Sequence, residues 1–288
     1  MIKLKDIHYF KDKKIINIKK EEDKILVDTP DKKYKIVPYD RDFHPLLESK
    51  KEWFDHLQSM ESSIVPIEEV STMGENSYYI KECVEDVKYQ LTQEEQFLYG
   101  IQFGKFLHEF HKENLMQDAG FWSTVYNYKI NMVDHEYGLG NYRGSLDYMV
   151  WDYIRNNKYL ISHRPWTNIL YLRSFHDISI TRDGRFEFDL FNQSYKADPY
   201  FEFRNINIRH YKIEYFIIGI LKGYFNRIPR NFYKVLALYT LVEAWGNSFV
   251  EYEPYEDVVH MKTEELVEEY DHFSTVIPKW MREVDYEV

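Results

Sequence analysis

The first eighty residues alternate between short β-branched runs and charged turns, which is the pattern of antiparallel strands. Runs at 15–18, 24–28 and 34–37 are separated by charged turns, so three strands are predicted there. From Leu46 to Met60 apolar residues recur at helical spacing. Two more β-type runs follow, and this part of the chain is therefore predicted to be an antiparallel sheet with one helix. These last two runs lie at 65–67 and 77–80.

After Glu82 the apolar positions change to helical spacing. Thr92 followed by Glu95 is a capping pair that satisfies two unpaired backbone donors, and it predicts the start of a helix. Gly100 and Gly104 lie one turn apart on this helix, which would let a second helix approach closely. The spacing predicts further helices at 146–156, 211–225, 232–249 and 263–270.

One non-helical stretch, 170–198, interrupts the helical part of the chain. It contains two short β-type runs around the turn 182–185, which together predict a β-hairpin. The predicted fold class is therefore α+β, with a small antiparallel-sheet lobe carrying one helix at 1–82. A larger helical lobe that contains the hairpin is predicted at 83–288. This two-lobed layout is typical of protein-kinase-like folds.

Charge and apolar content exclude several classes of protein. The chain carries 37 basic and 48 acidic residues, a net charge of −11, which argues against a dedicated nucleic-acid or anionic-membrane binder. The apolar run Tyr215–Leu221 is too short to span a bilayer, and no export signal is expected at the N-terminus. Cys83 is the single cysteine, so no intrachain disulfide is expected and a cytoplasmic location is predicted.

The charge is distributed unevenly along the chain. Residues 1–35 hold eleven lysines and seven acidic residues, whereas residues 250–288 hold twelve acidic and three basic residues. Both segments can be solvated surfaces, or the basic segment can dock on the acidic one. The second interpretation allows a dimerising or regulatory module, with a homodimer as its simplest form.

Five segments, in the right order, resemble the aminoglycoside phosphotransferase family of small-molecule kinases, particularly its bacterial antibiotic-kinase branch. Residues 99–111 are similar to the family's "G-x-x-x-G-x-x-L-x-x-x-H" helix, and residues 198–203 to its "G-D-P-x-x-E-F" element. The remaining likeness lies in the helix and strand at 48–68, in Arg164-Pro165 and in the turn 183–185. The resemblance implies a kinase-like fold and an ATP- and Mg²⁺-dependent transfer of phosphate to a hydroxyl group.

The aligned catalytic positions depart from the family's pattern. The family's "H-G-D-x-x-x-x-N" loop falls on residues 170–177, so its base aligns with Leu172 and its Asn with Asp177. Its metal-binding Asp aligns with Leu190. Leucine can neither accept a proton nor bind a hard cation. No catalytic group is therefore expected at Leu172.

The aligned sequence also departs from the family's pattern at the positions that bind the nucleotide. The family's phosphate-binding lysine aligns near Val37, and Lys35 is two residues away on the same predicted strand. The first predicted hairpin contains no glycine, so no glycine-rich loop can bring backbone donors to phosphates. Of the helix glutamates, Glu48 or Glu52 aligns with the family's. By the resemblance, the residues left for binding a cofactor are Lys35, Glu52 and Glu82.

A second alignment keeps part of the metal site. Asp177 and Asp189 are twelve residues apart, an interval that suits the family's Asn and metal-binding Asp, so both can face one Mg²⁺ ion. In a variant of this alignment, His176-Asp177 is a contracted "H-G-D" and Asp177 is the catalytic residue. Without that contraction, the alignment provides two metal ligands and no base.

Three hypotheses about function remain open. In the first, the chain is a pseudokinase that binds an unidentified small molecule or protein, with a cationic partner as one option, and no cofactor is expected. In the second, it is an active phosphotransferase that uses ATP, Mg²⁺, Asp177 and Asp189, with an amine-bearing substrate drawn to the acidic C-terminal lobe. In the third, it is the dimerising regulatory module. None of the three involves a nucleic acid or a membrane.

Overall fold

The computed structural model describes residues 7–117, 119–140, 144–188, 195–208, 210–246 and 262–284. The chain forms two compact units. The first comprises residues 1–90 and 178–189, and the second comprises residues 91–177 and 190–288. The first unit is built on a sheet and the second mainly on helices, so the predicted α+β class is confirmed.

Five strands and one helix make up most of the first unit: β1 (Asn17–Lys20), β2 (Ile25–Asp28), β3 (Lys33–Asp40), α1 (His44–Met60), β4 (Ile67–Met73) and β5 (Asn76–Glu82). Neighbouring strands are antiparallel and lie in the order β1-β2-β3-β5-β4. The sequence predicted this sheet and helix, but it ended the third strand too early. β3 continues through Pro38, which is tolerated because the pairing of β3 with β2 stops at Ile36.

One face of this sheet forms the core of the first unit. Tyr34, Ile36 and Ile80 are buried on it, and Phe10 from the preceding 3-10 turn packs against them. Alternate residues of a strand point to opposite faces. Lys35 therefore lies on the other face of the sheet.

The predicted hairpin forms from strands β7 (Ser179–Ile180) and β8 (Phe186–Glu187). The hairpin was predicted to belong to the helical lobe, whereas in the structure it belongs to the first unit. The reason is a pair of long-range backbone contacts, in which Phe186 donates to the carbonyl of Ser63 and accepts from the amide of Val65. Residues so far apart in the sequence leave no local pattern that would indicate this pairing.

The second unit contains seven α-helices and one two-stranded sheet within its described residues. The helices are α2 (Gln93–Glu113), α3 (Ala119–Leu139), α4 (Ser145–Asn157), α5 (Glu214–Phe225), α6 (Phe232–Ala244), α7 (Thr263–Glu269) and α8 (Lys279–Glu283). The strands are β6 (Thr167–Ile169) and β9 (Tyr195–Ala197). None of the described helices combines the length and apolar content that a bilayer crossing requires.

Five of these helices were predicted, whereas α3, α8 and the short sheet were not. The capping box at Thr92 and Glu95 is present at the start of α2. The predicted end of α6 at residue 249 lies outside the described residues, and the helix itself ends at Ala244. The signal for α3 existed in the sequence, because its buried side chains recur at helical spacing. They are Trp122, Tyr126, Ile130, Val133 and Tyr137.

Helices α2 and α5 pack closely through glycines, as the sequence predicted for Gly100 and Gly104. A Cβ atom at Gly104 would overlap the backbone carbonyl of Ile220, and one at Gly100 that of Phe216. Gly219 on α5 faces α2 in the same way. The two backbones therefore touch, and no side chain can be added at these positions without moving a helix.

Replacing Gly104 with alanine is expected to lower the free energy of unfolding by about 1–3 kcal/mol, because the added methyl group forces the helices apart. The matched control is Gly138→Ala in α3, where a Cβ atom meets nothing within 4 Å. That change should raise stability by about 0.5–1 kcal/mol, since alanine loses less backbone entropy in a helix. Urea denaturation of both variants measures the difference, and equal effects would contradict the packing described here.

Candidate functional site

The loop that aligns with the family's catalytic loop, residues 170–177, follows β6 in the second unit. Leu172 is buried, with 4% of its surface exposed. Tyr171 has a left-handed backbone conformation, with φ of 55°, at the position where the family's pattern has glycine. This conformation is costly for other residues, and the ring of Tyr171 stacks on Tyr195 with centroids 4.2 Å apart. The loop thus combines a glycine-type turn with an apolar side chain at residue 172.

The backbone of this loop is held by one buried carboxylate. Glu202 Oε2 accepts hydrogen bonds from the amides of Leu170 at 2.7 Å and Tyr171 at 3.3 Å, and Oε1 accepts from Leu172 at 2.8 Å. The side chain of Asn205 donates to the carbonyl of Arg173 at 2.8 Å. One side chain thus accepts hydrogen bonds from three successive amides at the start of the loop.

Two further buried side chains surround Glu202. His111 Nε2 lies 3.6 Å from Glu202 Oε2, and His111 Nδ1 lies 2.9 Å from the hydroxyl of Tyr224. Burial raises the pKa of the Tyr224 phenol well above its ordinary value. The hydroxyl therefore stays protonated and can donate a hydrogen bond to His111 Nδ1. Thr167 also donates to the His111 carbonyl at 2.8 Å. The cluster connects α2, β6 and α5 to the loop, and it is closed to solvent.

Asp198, which precedes a proline, is a structural residue. It is fully buried and accepts two hydrogen bonds from Arg164, at 2.6 and 2.8 Å. The hydroxyl of Tyr239 and the amide of Tyr200 donate to it as well. Burial alone would lower the pKa of Arg164, but the charge of Asp198 outweighs burial and the pKa is raised. These contacts fix the position of Asp198, directly before the 3-10 segment that contains Glu202.

Asp177 is the exposed end of the candidate loop. Its Oδ2 accepts from the amide of Ser174 at 3.1 Å, and its own amide donates to the Ser174 carbonyl at 3.1 Å. The carboxylate therefore closes its own turn. Asp189 and Leu190 lie outside the described residues, so only Asp177 of the alternative metal pair is placed. Within the described ranges, no group of three or more His, Cys, Asp or Glu side chains could hold a metal ion.

In the first unit, two lysines share one glutamate. Lys35 on β3 and Lys81 on β5 are register partners, and both ammonium groups reach Glu187 Oε1, at 3.1 and 3.0 Å. Lys81 also donates to the carbonyl of Phe188 at 2.7 Å and lies over the ring of Phe54, 4.4 Å from its centroid. The Lys81 side chain is only 2% exposed, so its charge needs these partners.

The carboxylate of Glu187 provides the negative charge that pairs with the two lysines. Burial alone would raise its pKa, but the positive charges of Lys81 and then Lys35 outweigh burial, and the pKa lies below its ordinary value of 4.5. The sequence analysis assigned no role to Lys81 or Glu187. One local feature of the sequence indicated this cluster. Lys81 directly follows the apolar run Tyr78–Ile80, so it belongs to a strand whose residues are buried on both faces of the sheet.

The other residues predicted to bind a cofactor have different surroundings. Glu82 accepts two hydrogen bonds from Arg185, each at 2.8 Å, and one from Lys32 at 2.8 Å. The hydrogen bond from Arg185 is the main reason that the pKa of Glu82 is lowered. Glu52 is exposed on α1, and the ion-pair partner of Lys35 is Glu187 rather than Glu52. The assignment of Lys35, Glu52 and Glu82 to a cofactor stays a prediction.

Comparisons with known proteins place the fold. No protein-family model matches the sequence, and no curated protein matches it. Among solved structures, an ADP-bound aminoglycoside phosphotransferase, APH(2'')-Ib, is similar with a TM-score of 0.52 and 13% identity, over 95% of this chain and 97% of that one. An aminoglycoside phosphotransferase from Alicyclobacillus acidocaldarius has a TM-score of 0.51 and 10% identity, over 89% and 87% of the two chains.

A kinase that is named for a different substrate is similar to this chain to the same extent. The putative fructosamine-3-kinase of Haemophilus somnus has a TM-score of 0.51 and 10% identity, over 89% of this chain and 91% of that one. Identities of this size show the fold alone. The chain therefore has the two-lobed, protein-kinase-like fold of aminoglycoside phosphotransferases and related small-molecule kinases, as the resemblance implied.

Proposed function

We propose that this chain, whose fold is that of the aminoglycoside phosphotransferases, is a pseudokinase that binds a small molecule or a protein without transferring phosphate. The observation that carries the proposal is the buried Leu172 on a loop whose backbone is bonded to Glu202. Phosphoryl transfer of this kind depends on a group that accepts the hydroxyl proton and on carboxylates that hold magnesium. A leucine provides neither.

The way the loop is anchored strengthens this interpretation. A degraded catalytic loop could be rescued if its backbone moved and brought another side chain to the same place. The three amides bonded to Glu202 oppose such a movement, because each buried donor that loses its acceptor costs about 1–3 kcal/mol. The nearest carboxylate along the loop, that of Asp177, already accepts a bond from Ser174.

The lysines of the first unit support the same proposal. In protein kinases the phosphate-binding lysine pairs with a glutamate of the N-lobe helix, whereas Lys35 and Lys81 share the carboxylate of Glu187 on β8. This pairing differs from the family's pattern, and Leu172 offers no magnesium ligand, so no step through ATP or Mg²⁺ is proposed. We place the protein in the cytoplasm, in keeping with the free thiol of Cys83.

Incubation with Mg²⁺ and [γ-³²P]ATP tests the proposal. We expect no phosphate release above that of buffer alone, and no transfer to amine-bearing acceptors, while an active aminoglycoside phosphotransferase run in parallel gives both. Asp177→Ala, which removes the metal-binding group of the alternative alignment, is expected to leave this result unchanged. The matched control is Asp42→Asn, which alters an exposed aspartate of the first unit.

The same assay distinguishes the alternative enzyme. Turnover of ATP that is present in the wild type, lost in Asp177→Ala and kept in Asp42→Asn would reject the pseudokinase. It would instead support an active phosphotransferase that uses Asp177 with Asp189. The third hypothesis, a dimerising module, predicts a dimer in sedimentation equilibrium. Residues 1–6, 250–261 and 285–288 of the two charged segments lie outside the described residues.

A further inference from the structure

A pocket of about 470 Å³ opens in the second unit, where the end of α5 meets the start of α6 and α8. This volume is within the range of pockets that take small organic molecules. None of its lining residues belongs to the loop 170–177, to the cluster around Glu202, or to the lysine pair on Glu187. The pocket is therefore a feature that the proposed function does not use.

The base and one wall of the pocket are apolar. Ile218 and Leu221 come from α5 and are almost fully buried, and Met281 comes from α8. Ile277 also lines the pocket although 37% of its surface is exposed. An apolar body of a ligand would remove these side chains from water, which is favourable in proportion to the area covered.

Three cations line the same pocket. Lys222 lies in the last turn of α5, Arg227 follows the end of that helix, and Arg282 lies on α8. No carboxylate lines the pocket, and in the part of the chain that the structure describes none of the three cations has an ion-pair partner. Positive charges that converge on a concave surface without a counter-ion attract anions.

Nearby negative groups offset part of this charge. Arg282 also borders a second pocket that contains Glu268, Asp271 and Glu283, and Glu283 pairs with Lys279, at 3.9 Å. The C-terminal end of α5 contributes roughly half a negative charge. Lys222 and Arg227 do not border the second pocket, so the lining of the first pocket carries a positive charge above an apolar base.

We propose that this pocket binds a free amphipathic organic anion, with one phosphate, sulfonate or carboxylate group on a small apolar body. The anionic group contacts Lys222, Arg227 and Arg282, and the apolar body lies on Ile218, Leu221 and Met281. Arginine forms paired hydrogen bonds with such groups, so it sets the orientation of the ligand. The proposal does not depend on the pseudokinase assignment, because it concerns a pocket outside the candidate loop.

Isothermal titration calorimetry with monomeric octyl phosphate tests the proposal. Octyl phosphate should bind at least about tenfold more tightly than 1-octanol, which lacks the charge, and than inorganic phosphate, which lacks the chain. Equal affinity for octyl phosphate and either partial ligand would overturn the proposal. So would an absence of binding to the wild type, or binding only to phosphatidylglycerol vesicles in co-sedimentation, which would indicate a membrane surface instead.

Variants assign the binding to the pocket. Arg227→Gln combined with Arg282→Gln is expected to weaken octyl phosphate binding by at least about tenfold, whereas Arg230→Gln, an exposed arginine that does not line the pocket, should have no effect. Ile277→Glu introduces a negative charge at a partly exposed position and should also weaken binding. Loss of binding in Arg230→Gln, or full binding in both pocket variants, would place the ligand elsewhere. Circular dichroism confirms that each variant is folded.

Discussion

Replacing Glu202 with glutamine is expected to lower the free energy of unfolding by about 3 kcal/mol. Its two carboxylate oxygens accept hydrogen bonds from three successive loop amides, and an amide side chain has only one oxygen. The NH₂ group of glutamine would face at least one buried donor, and each unsatisfied buried donor costs about 1–3 kcal/mol. The carboxylate of Glu202 is fully buried, so water cannot replace the lost acceptor.

Hydrogen exchange separates this local effect from a general loss of stability. In the wild type, the amides of Leu170 and Leu172 should be protected, and in Glu202→Gln they should exchange much faster than the amides of β6. Glu109→Gln is the matched control, because the Glu109 side chain is 61% exposed, and a change within about 0.5 kcal/mol is expected there. If Glu202→Gln left both the stability and the protection of these amides unchanged, the carboxylate would not anchor the loop.

Replacing Glu187 with glutamine is expected to cost about 3–5 kcal/mol, the cost of breaking a buried ion pair by removing one partner. The change removes the only negative charge that Lys35 and Lys81 are described as sharing, and it leaves the ammonium group of Lys81 buried beside a neutral amide. The matched control in the same unit is Glu85→Gln. Glu85 pairs with Arg182 at 3.4 Å, but both side chains are more than half exposed, so that change should stay within about 0.5 kcal/mol.

The pH dependence of unfolding gives a second measurement on Glu187. Its pKa in the folded protein is below the ordinary value of 4.5, so the ionised form stabilises the fold above that pH. This contribution is lost as the pH falls through the lowered pKa. Urea denaturation between about pH 7 and about pH 3 should therefore show a steeper loss of stability in the wild type than in Glu187→Gln. Parallel curves for the two proteins would show that Glu187 does not bear this charge balance.

The candidate site was predictable in its sequence positions but not in its contacts. The alignment of residues 170–177 placed Leu172 in the loop that the structure shows to be anchored, and the quoted "D-P-x-x-E-F" segment contained Glu202. The sequence did not assign Glu202 to the loop amides, because the hydrogen bonds join residues about thirty positions apart. The pair of Lys81 with Glu187 was missed for the same reason. Those two residues come from separate hairpins, and each alone is an ordinary charged strand residue.

What the sequence by itself determined is local: the capping box that starts α2, the alternating strands of the first sheet, the turn of the hairpin and the glycines of α2. Each depends on residues within a few positions of one another, whose spacing already contains the physical cause. The tertiary structure alone decided that the hairpin belongs to the first unit, that Glu187 balances two lysines, and that three cations converge on one apolar pocket. These features arise because folding brings distant charges and backbone groups into a low-dielectric interior, where each must find a partner.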